Sequence, residues 1–193
     1  MKELKDMSLE ELWQLFPIIL EEHNLKYREW YEEERTNIIS LLHNYDACRI
    51  NHIGSTAVEG LIAKPIIDIL LELPNGYDME SVSLLLRRDS WVVMQQDNAN
   101  GTIDLNKGYT SNGFAEKVYH LHLRPVGDWG ELYFRDYLRQ NMNVAKEYEE
   151  LKLPLARKYK NNRDEYTEAK SEFILENTLK AREEYNGKYR IGD

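Results

Sequence analysis

Residues 52–72 read HIGSTAVEGLIAKPIIDILLE and carry the side chains best suited to an anion. Gly54 and Ser55 end an apolar run, CRINHIG, that reads as a strand. A glycine at a strand end lets backbone amides approach a ligand closely. Ser55 and Thr56 are favoured caps, and a helix starting there would leave free N–H groups for a phosphate. The Ser55 hydroxyl would add a bond of its own. The plainer alternative is that Ser55 or Thr56 only caps a turn of helix. Further along, Asp68 interrupts the apolar run PIIDILLEL, and an ionised carboxylate within a strand is costly unless it is paired or holds a cation. A strand-borne carboxylate near a phosphate turn suits a divalent ion, Mg2+ or Mn2+, which neutralises both. The rival is a structural pair with Lys64 or an arginine.

Three further groups bear on the same chemistry. His120 and His122 alternate on one face of KVYHLHLRPV, with Arg124 next. With Asp68, one or both imidazoles would form a divalent-metal site, which would also serve metal-assisted hydrolysis. Two hydrogen-bonded histidines on a polar sheet face are the structural alternative. His52 reads as a satisfied core histidine rather than a ligand contact. Lys64, Arg135 and Arg139 supply phosphate-binding cations, the two arginines lying i,i+4 on FRDYLR. A helix-surface ladder with Asp136 or Glu131 is the competing role for those arginines.

The elements that must position these groups follow from periodicity. Ser8 and Glu11 form a capping-box pattern before a short apolar helix that Pro17 ends. A second helix runs from about Lys26 to His43, and Asp78–Asp89 reads as another. Strands are expected at CRINHIG, PIIDILLEL, SWVVMQQ, near Thr102–Leu105 and at KVYHLHLRPV. STAVEGLIAK is too short for a crossover helix, so the strands that it joins are antiparallel or mixed. From Asp128 onward the pattern is helical: WGELYFRDYLRQ, then Val144–Tyr159 with Pro154 kinking or ending it, then Arg163–Tyr185 as one helix. The sum is an α+β (α/β-like) domain over residues 1–193: helices in 1–45, a mixed sheet in 46–126, helices in 127–193.

HIGSTAVEGLIAKPIIDI resembles the signature of the GrpB family, a bacterial group assigned to the nucleotidyltransferase fold of the DNA polymerase beta type. HLHL, FRDYLR and the pattern LK…LA…Y…K..FI between Leu151 and Ile174 extend the resemblance from about Leu20 to Ile174. Glu59 stands where the family string has proline. The resemblance implies that Gly54 and Ser55 hold the terminal phosphates of a nucleoside triphosphate, and that Asp68 is the first of two metal carboxylates at i and i+2. The second position is Leu70, a departure from the pattern. Glu72, roughly 7 Å from Asp68 at strand rise, is a weak substitute. Nucleotidyl transfer to an unknown small acceptor is the activity implied, with Asp68 catalytic and Gly54 and Ser55 on the phosphates, to which the residue chemistry above adds Thr56, Lys64, Arg135 and Arg139. Leu70 favours a non-catalytic nucleotide- or metabolite-binding module instead.

Composition sets the outer bounds. The 193 residues carry 25 Lys+Arg against 34 Asp+Glu, a formal charge of −9, with 42% hydrophobic and 31% charged residues. That balance supports a core without staples and excludes fibrous or wholly disordered classes. A sequence pI near 5.2 argues against general nucleic-acid binding. Cys48, the single cysteine, permits no internal disulfide or zinc cluster and reads as a buried inert thiol. The start lacks a signal-peptide pattern, and no run approaches the ~18 apolar residues of a membrane span, so a soluble cytoplasmic protein is expected.

Overall fold

Alternation decides which face of the central sheet is dry. Ile67, Ile69, Leu71 and Leu73 on β2 (Ile67–Leu73) point one way, and Asp68, Leu70 and Glu72 the other. The computed structural model describes residues 2–42 and 49–190. Cys48 and the last residue of the expected second helix, His43, lie outside that range. The sheet has five strands in the order β1-β2-β5-β4-β3. They are β1 (Arg49–Ile53), β2, β3 (Val92–Asp97), β4 (Thr102–Thr110) and β5 (Gly113–Pro125). β2 runs parallel to β5 and antiparallel to β1, while β4 is antiparallel to both β5 and β3. The sheet is mixed, and the β1–β2 pair that the short STAVEGLIAK segment joins is antiparallel.

The dry face packs on α2 (Lys26–Leu41) and α3 (Met79–Arg87). Tyr27, Tyr31, Ile38, Val82, Leu86 and Trp91 meet the odd-numbered β2 residues and Tyr119, Leu121 and Leu123 of β5 in one core. The preceding helix, α1 (Leu9–Leu15), begins at Ser8 with the full capping box, and Asp78 caps α3. The second face carries polar side chains and is closed by the C-terminal helices. These are α4 (Gly130–Gln140), α5 (Met142–Lys158), α6 (Arg163–Glu168) and α7 (Ser171–Glu184). Leu132 of α4 packs on Ile53 and Leu70, while Phe134, Leu138, Tyr148 and Phe173 form a separate cluster over Val58 and Leu61.

Three departures from the periodicity have physical reasons. β4 runs on to Thr110 because Gly108, at φ +91°, sits at a bulge where a Cβ would strike the Lys117 carbonyl. Its Asn-Lys-Gly sequence hides that extension. α5 continues through Pro154, which lies on the exposed side where water can satisfy the freed Glu150 carbonyl. The expected helix 163–185 is two helices, broken at Ala169–Lys170 without a proline or glycine to announce it. That break is where one of the site lysines projects.

Candidate functional site

The turn after β1 is built around a backbone that only glycine tolerates. Gly54 has φ 71° and ψ −173°, in the region essentially closed to residues with a Cβ. A Cβ there would overlap the Asp68 carboxylate, Oδ2 first. Gly54 therefore lets Asp68 lie against the turn. Ser55–Ala57 then makes one turn of 3-10 helix, too short for a helix-terminus anion site. Thr56 is buried: its hydroxyl accepts from His52 Nε2 at 3.0 Å and donates to the Ile66 carbonyl at 3.1 Å. His52 also stacks on Tyr31, ring centroids 4.7 Å apart, and burial lowers its pKa to about 4. It is the core histidine that its apolar surroundings suggest.

Asp68 finds its partner across the parallel pair, where β2 and β5 set it opposite His120. His120 Nδ1 donates to Asp68 Oδ1 at 3.1 Å, and the Tyr109 hydroxyl donates to His120 Nε2 at 2.7 Å. A carboxylate only accepts, so Nδ1 carries the proton and Nε2 is the acceptor. Burial keeps the imidazole neutral. For Asp68 burial opposes ionisation, but the His120 bond and the nearby positive charge of Lys64 hold the carboxyl below its usual range. Burial also pushes the Tyr109 hydroxyl up to about 12, so it stays a donor. Neither Lys64 nor an arginine is the partner.

Ser55, Thr56, Lys64, Asp68 and His122 line one wall of a cavity of about 610 Å³, and α4–α7 supply the other. That volume lies in the range of small-molecule sites, roughly 300–1,000 Å³. The helical wall contributes Phe134, Tyr148, Lys152, Tyr166 and Lys170. Lys152, 2% exposed, donates to Ser55 Oγ at 3.2 Å and to the Ile62 carbonyl. Lys64 and Lys170 lie over the Tyr166 ring at 5.8 and 4.1 Å from its centre. Burial lowers Lys64 to about 8 and both Lys152 and Lys170 to about 7, and the neighbouring lysines press two of them further down. Lys152 and Lys170 carry no role in the residue-by-residue reading of the sequence. Their signal is the pattern LK…LA…Y…K..FI, which contains Lys152, Tyr166 and Lys170.

The expected arginines do not reach this cavity. Arg135, 8% exposed, donates to Asp136, the His52 carbonyl and Tyr189, and Arg139 holds the Ala57 carbonyl with two N–H groups. Both brace the turn from behind. Glu72 is fully buried, where it pairs with Arg49 and accepts from Gly127 N. The expected metal set of Asp68, His120 and His122 is held in hydrogen bonds within the protein. Both His120 nitrogens are engaged, His122 Nδ1 donates to Asp104 at 2.9 Å, and Leu70 is sealed in the core. Among the described residues no three His, Cys, Asp or Glu side chains gather as a metal-holding group. The donor set does not fit a two-ion centre.

A family model described as GrpB protein matches residues 17–180. The Glutamate-rich protein GrpB of Alkalihalophilus pseudofirmus is 32% identical over 163 residues, covering 82% of this chain and 92% of its own length. UPF0157 protein YqkA of Bacillus subtilis is 30% identical over 155 residues, 79% of this chain and 43% of its own. This chain thus spans about half the length of the first curated relatives, 43% and 52%. The crystal structure of conserved protein GrpB from Enterococcus faecalis superimposes with TM-score 0.73 at 30% identity, covering 86% of this chain and 99% of that one. The Cid1 poly(U) polymerase bound to MgGTP gives TM-score 0.50 at 10% identity, covering 77% and 45%. That likeness is one of fold: the sheet and its helices are nucleotidyltransferase-like. No helix among the described residues is long and apolar enough to cross a membrane.

Proposed function

We infer function from a plain premise: the chain belongs to the GrpB family, and its nucleotidyltransferase-like fold encloses a cavity suited to the phosphates of a nucleoside triphosphate. The observation that carries this reading is Lys152 Nζ beside Ser55 Oγ at 3.2 Å, a buried ammonium on the turn that follows β1. A desolvated ammonium with donors to spare is strongly favoured by an anion. Tyr148, Tyr166 and Phe134 give the same cavity an apolar wall for the remainder of the ligand.

The geometry favours binding over two-ion transfer, because Leu70 offers no second carboxylate and the imidazole of His120 is spent on Asp68 and Tyr109. Transfer of a nucleotidyl group to a small acceptor has one observation on its side: Asp68 stays ionised at the cavity wall, 28% of its side chain exposed, where it can accept a hydrogen bond from an acceptor hydroxyl. Thermal unfolding with each of the four common triphosphates at millimolar level tests the binding reading, since a ligand of the native state raises the melting temperature by mass action. A rise is expected with at least one of them, and Ser55→Ala should weaken it by about 1 kcal/mol or somewhat more. Unchanged melting with all four would sink the reading.

A further inference from the structure

The cavity gathers three lysines against two carboxylates. Lys64, Lys152 and Lys170 reach it from the loop before β2, from α5 and from the α6–α7 break. Among the described residues none of the three forms an ion pair. Lys64 and Lys170 share the Tyr166 ring, and Lys152 has a hydroxyl, a carbonyl and the Tyr148 ring. An ammonium has three donors, so Lys152 keeps one and the other two lysines keep all of theirs. The carboxylates that line the same cavity are Asp68 and Glu131. Asp68 directs Oδ1 at His120 and packs Oδ2 against Gly54, so both its oxygens already have protein neighbours. The metal-ligating chemistry is thin here and amine donors are dense.

We propose that this cavity takes the polyphosphate of its ligand as a metal-free anion, with Lys64, Lys152 and Lys170 supplying the charge that a divalent ion would otherwise bring. The proposal rests on the nucleotide reading above and deepens it. Three ammonium groups held in one low-dielectric cavity repel one another, and a bound polyanion removes that repulsion while replacing the water that each has lost. Burial depresses the pKa values of all three lysines, and lysine repulsion adds to it at Lys152 and Lys170. Lysine is suited to the task as a compact point charge with rotatable donors, which needs no fixed coordination geometry.

The test is titration calorimetry of the full chain with the triphosphate that gives the largest thermal shift, and with inorganic tripolyphosphate. Each is run once in excess EDTA and once in millimolar Mg2+. The expected result is an affinity in EDTA equal to or tighter than that in Mg2+, shared by tripolyphosphate, and lost by about tenfold or more in Lys170→Gln. Lys170 is half-buried at a helix break, so its variant should fold, and its circular dichroism and melting curve are recorded alongside. Lys152→Gln is the second variant. Binding at least tenfold weaker in EDTA, or unchanged in a folded Lys170→Gln, overturns the lysine proposal and leaves the nucleotide reading standing. Absence of binding by any triphosphate in either buffer overturns both.

Discussion

Asp68 and its neighbours show how little a residue's type fixes its role. A carboxylate in an apolar strand needs compensation, and here a neutral imidazole donates a hydrogen bond to it while neither a lysine nor an arginine pairs with it. Two histidines held neutral by burial have a consequence for acid stability. His52 titrates near 4 in the fold, and burial shifts His120 in the same direction, against about 6.5 in an unfolded chain. Between those values the unfolded state binds the protons, so stability is full above pH 6.5 and falls as pH drops towards 4. Chemical denaturation midpoints should therefore decline between pH 6.5 and 4.5, and His120→Gln should flatten the decline. A midpoint level across that window would contradict neutral burial. The arginines carry a second prediction. Arg139 joins α4 to the Ala57 carbonyl, so Arg139→Ala should cost roughly 1–3 kcal/mol of stability and leave triphosphate affinity within about twofold. A large loss of affinity in a stable variant would return Arg139 to the phosphates.

The elements were legible where periodicity spoke and hidden where backbone geometry did. The capping box at Ser8, the Asp78 cap and the alternation of β2 could be read because each is a local pattern with a local cause. The β4 bulge and the α6–α7 break could not, because the first rests on one positive φ and the second falls at Ala169–Lys170, where no proline or glycine marks it. The candidate site divides along the same line. Gly54, Ser55, Lys64 and Asp68 cluster in one stretch and were visible, whereas Lys152 and Lys170 meet them only through the docking of distant helices. The turn at Gly54 offers a test at this scale. Gly54→Ala adds backbone strain of about 1–3 kcal/mol and a clash with the Asp68 carboxylate. Asp68→Ala in the same chain removes the clash but not the strain. The double variant should thus lose less stability than the sum of the two single variants, and strict additivity in urea unfolding would show that the carboxylate does not lie against the turn.

Across the whole molecule the charges are segregated, with a net −9 overall and three lysines turned into the cavity between sheet and helices. Ser55 and Lys152, 97 residues apart, meet only when the C-terminal helices close over the polar face of the sheet. A ligand bound there therefore stabilises the docking of the two layers as well as its own site. The acidic exterior repels long polyanions, whereas a small one that enters meets local positive charge. That charge is itself conditional on pH. In the free protein Lys152 and Lys170 titrate near 7 and Lys64 near 8. Lys152 is faced by Glu149 and Lys64, Lys170 by Lys64, Lys152, Asp68 and Arg163, and Lys64 by Arg163 and Asp68. A bound polyphosphate favours the charged form of each lysine and raises its pKa, so the complex holds protons that the free protein has lost. Binding must then take up protons above pH 7, and affinity should fall as pH rises. Above about pH 7.5 the last ionisation of a phosphate, near pH 6, is complete and adds nothing to the slope. Between pH 7.5 and 9 the triphosphate dissociation constant is expected to rise by up to about tenfold per pH unit for each proton linked. Calorimetry at pH 8 in two buffers of different ionisation enthalpy counts those protons directly. Lys170→Gln should lower the count, and a dissociation constant flat from pH 7.5 to 9 would mean that these amines do not meet the ligand's charge.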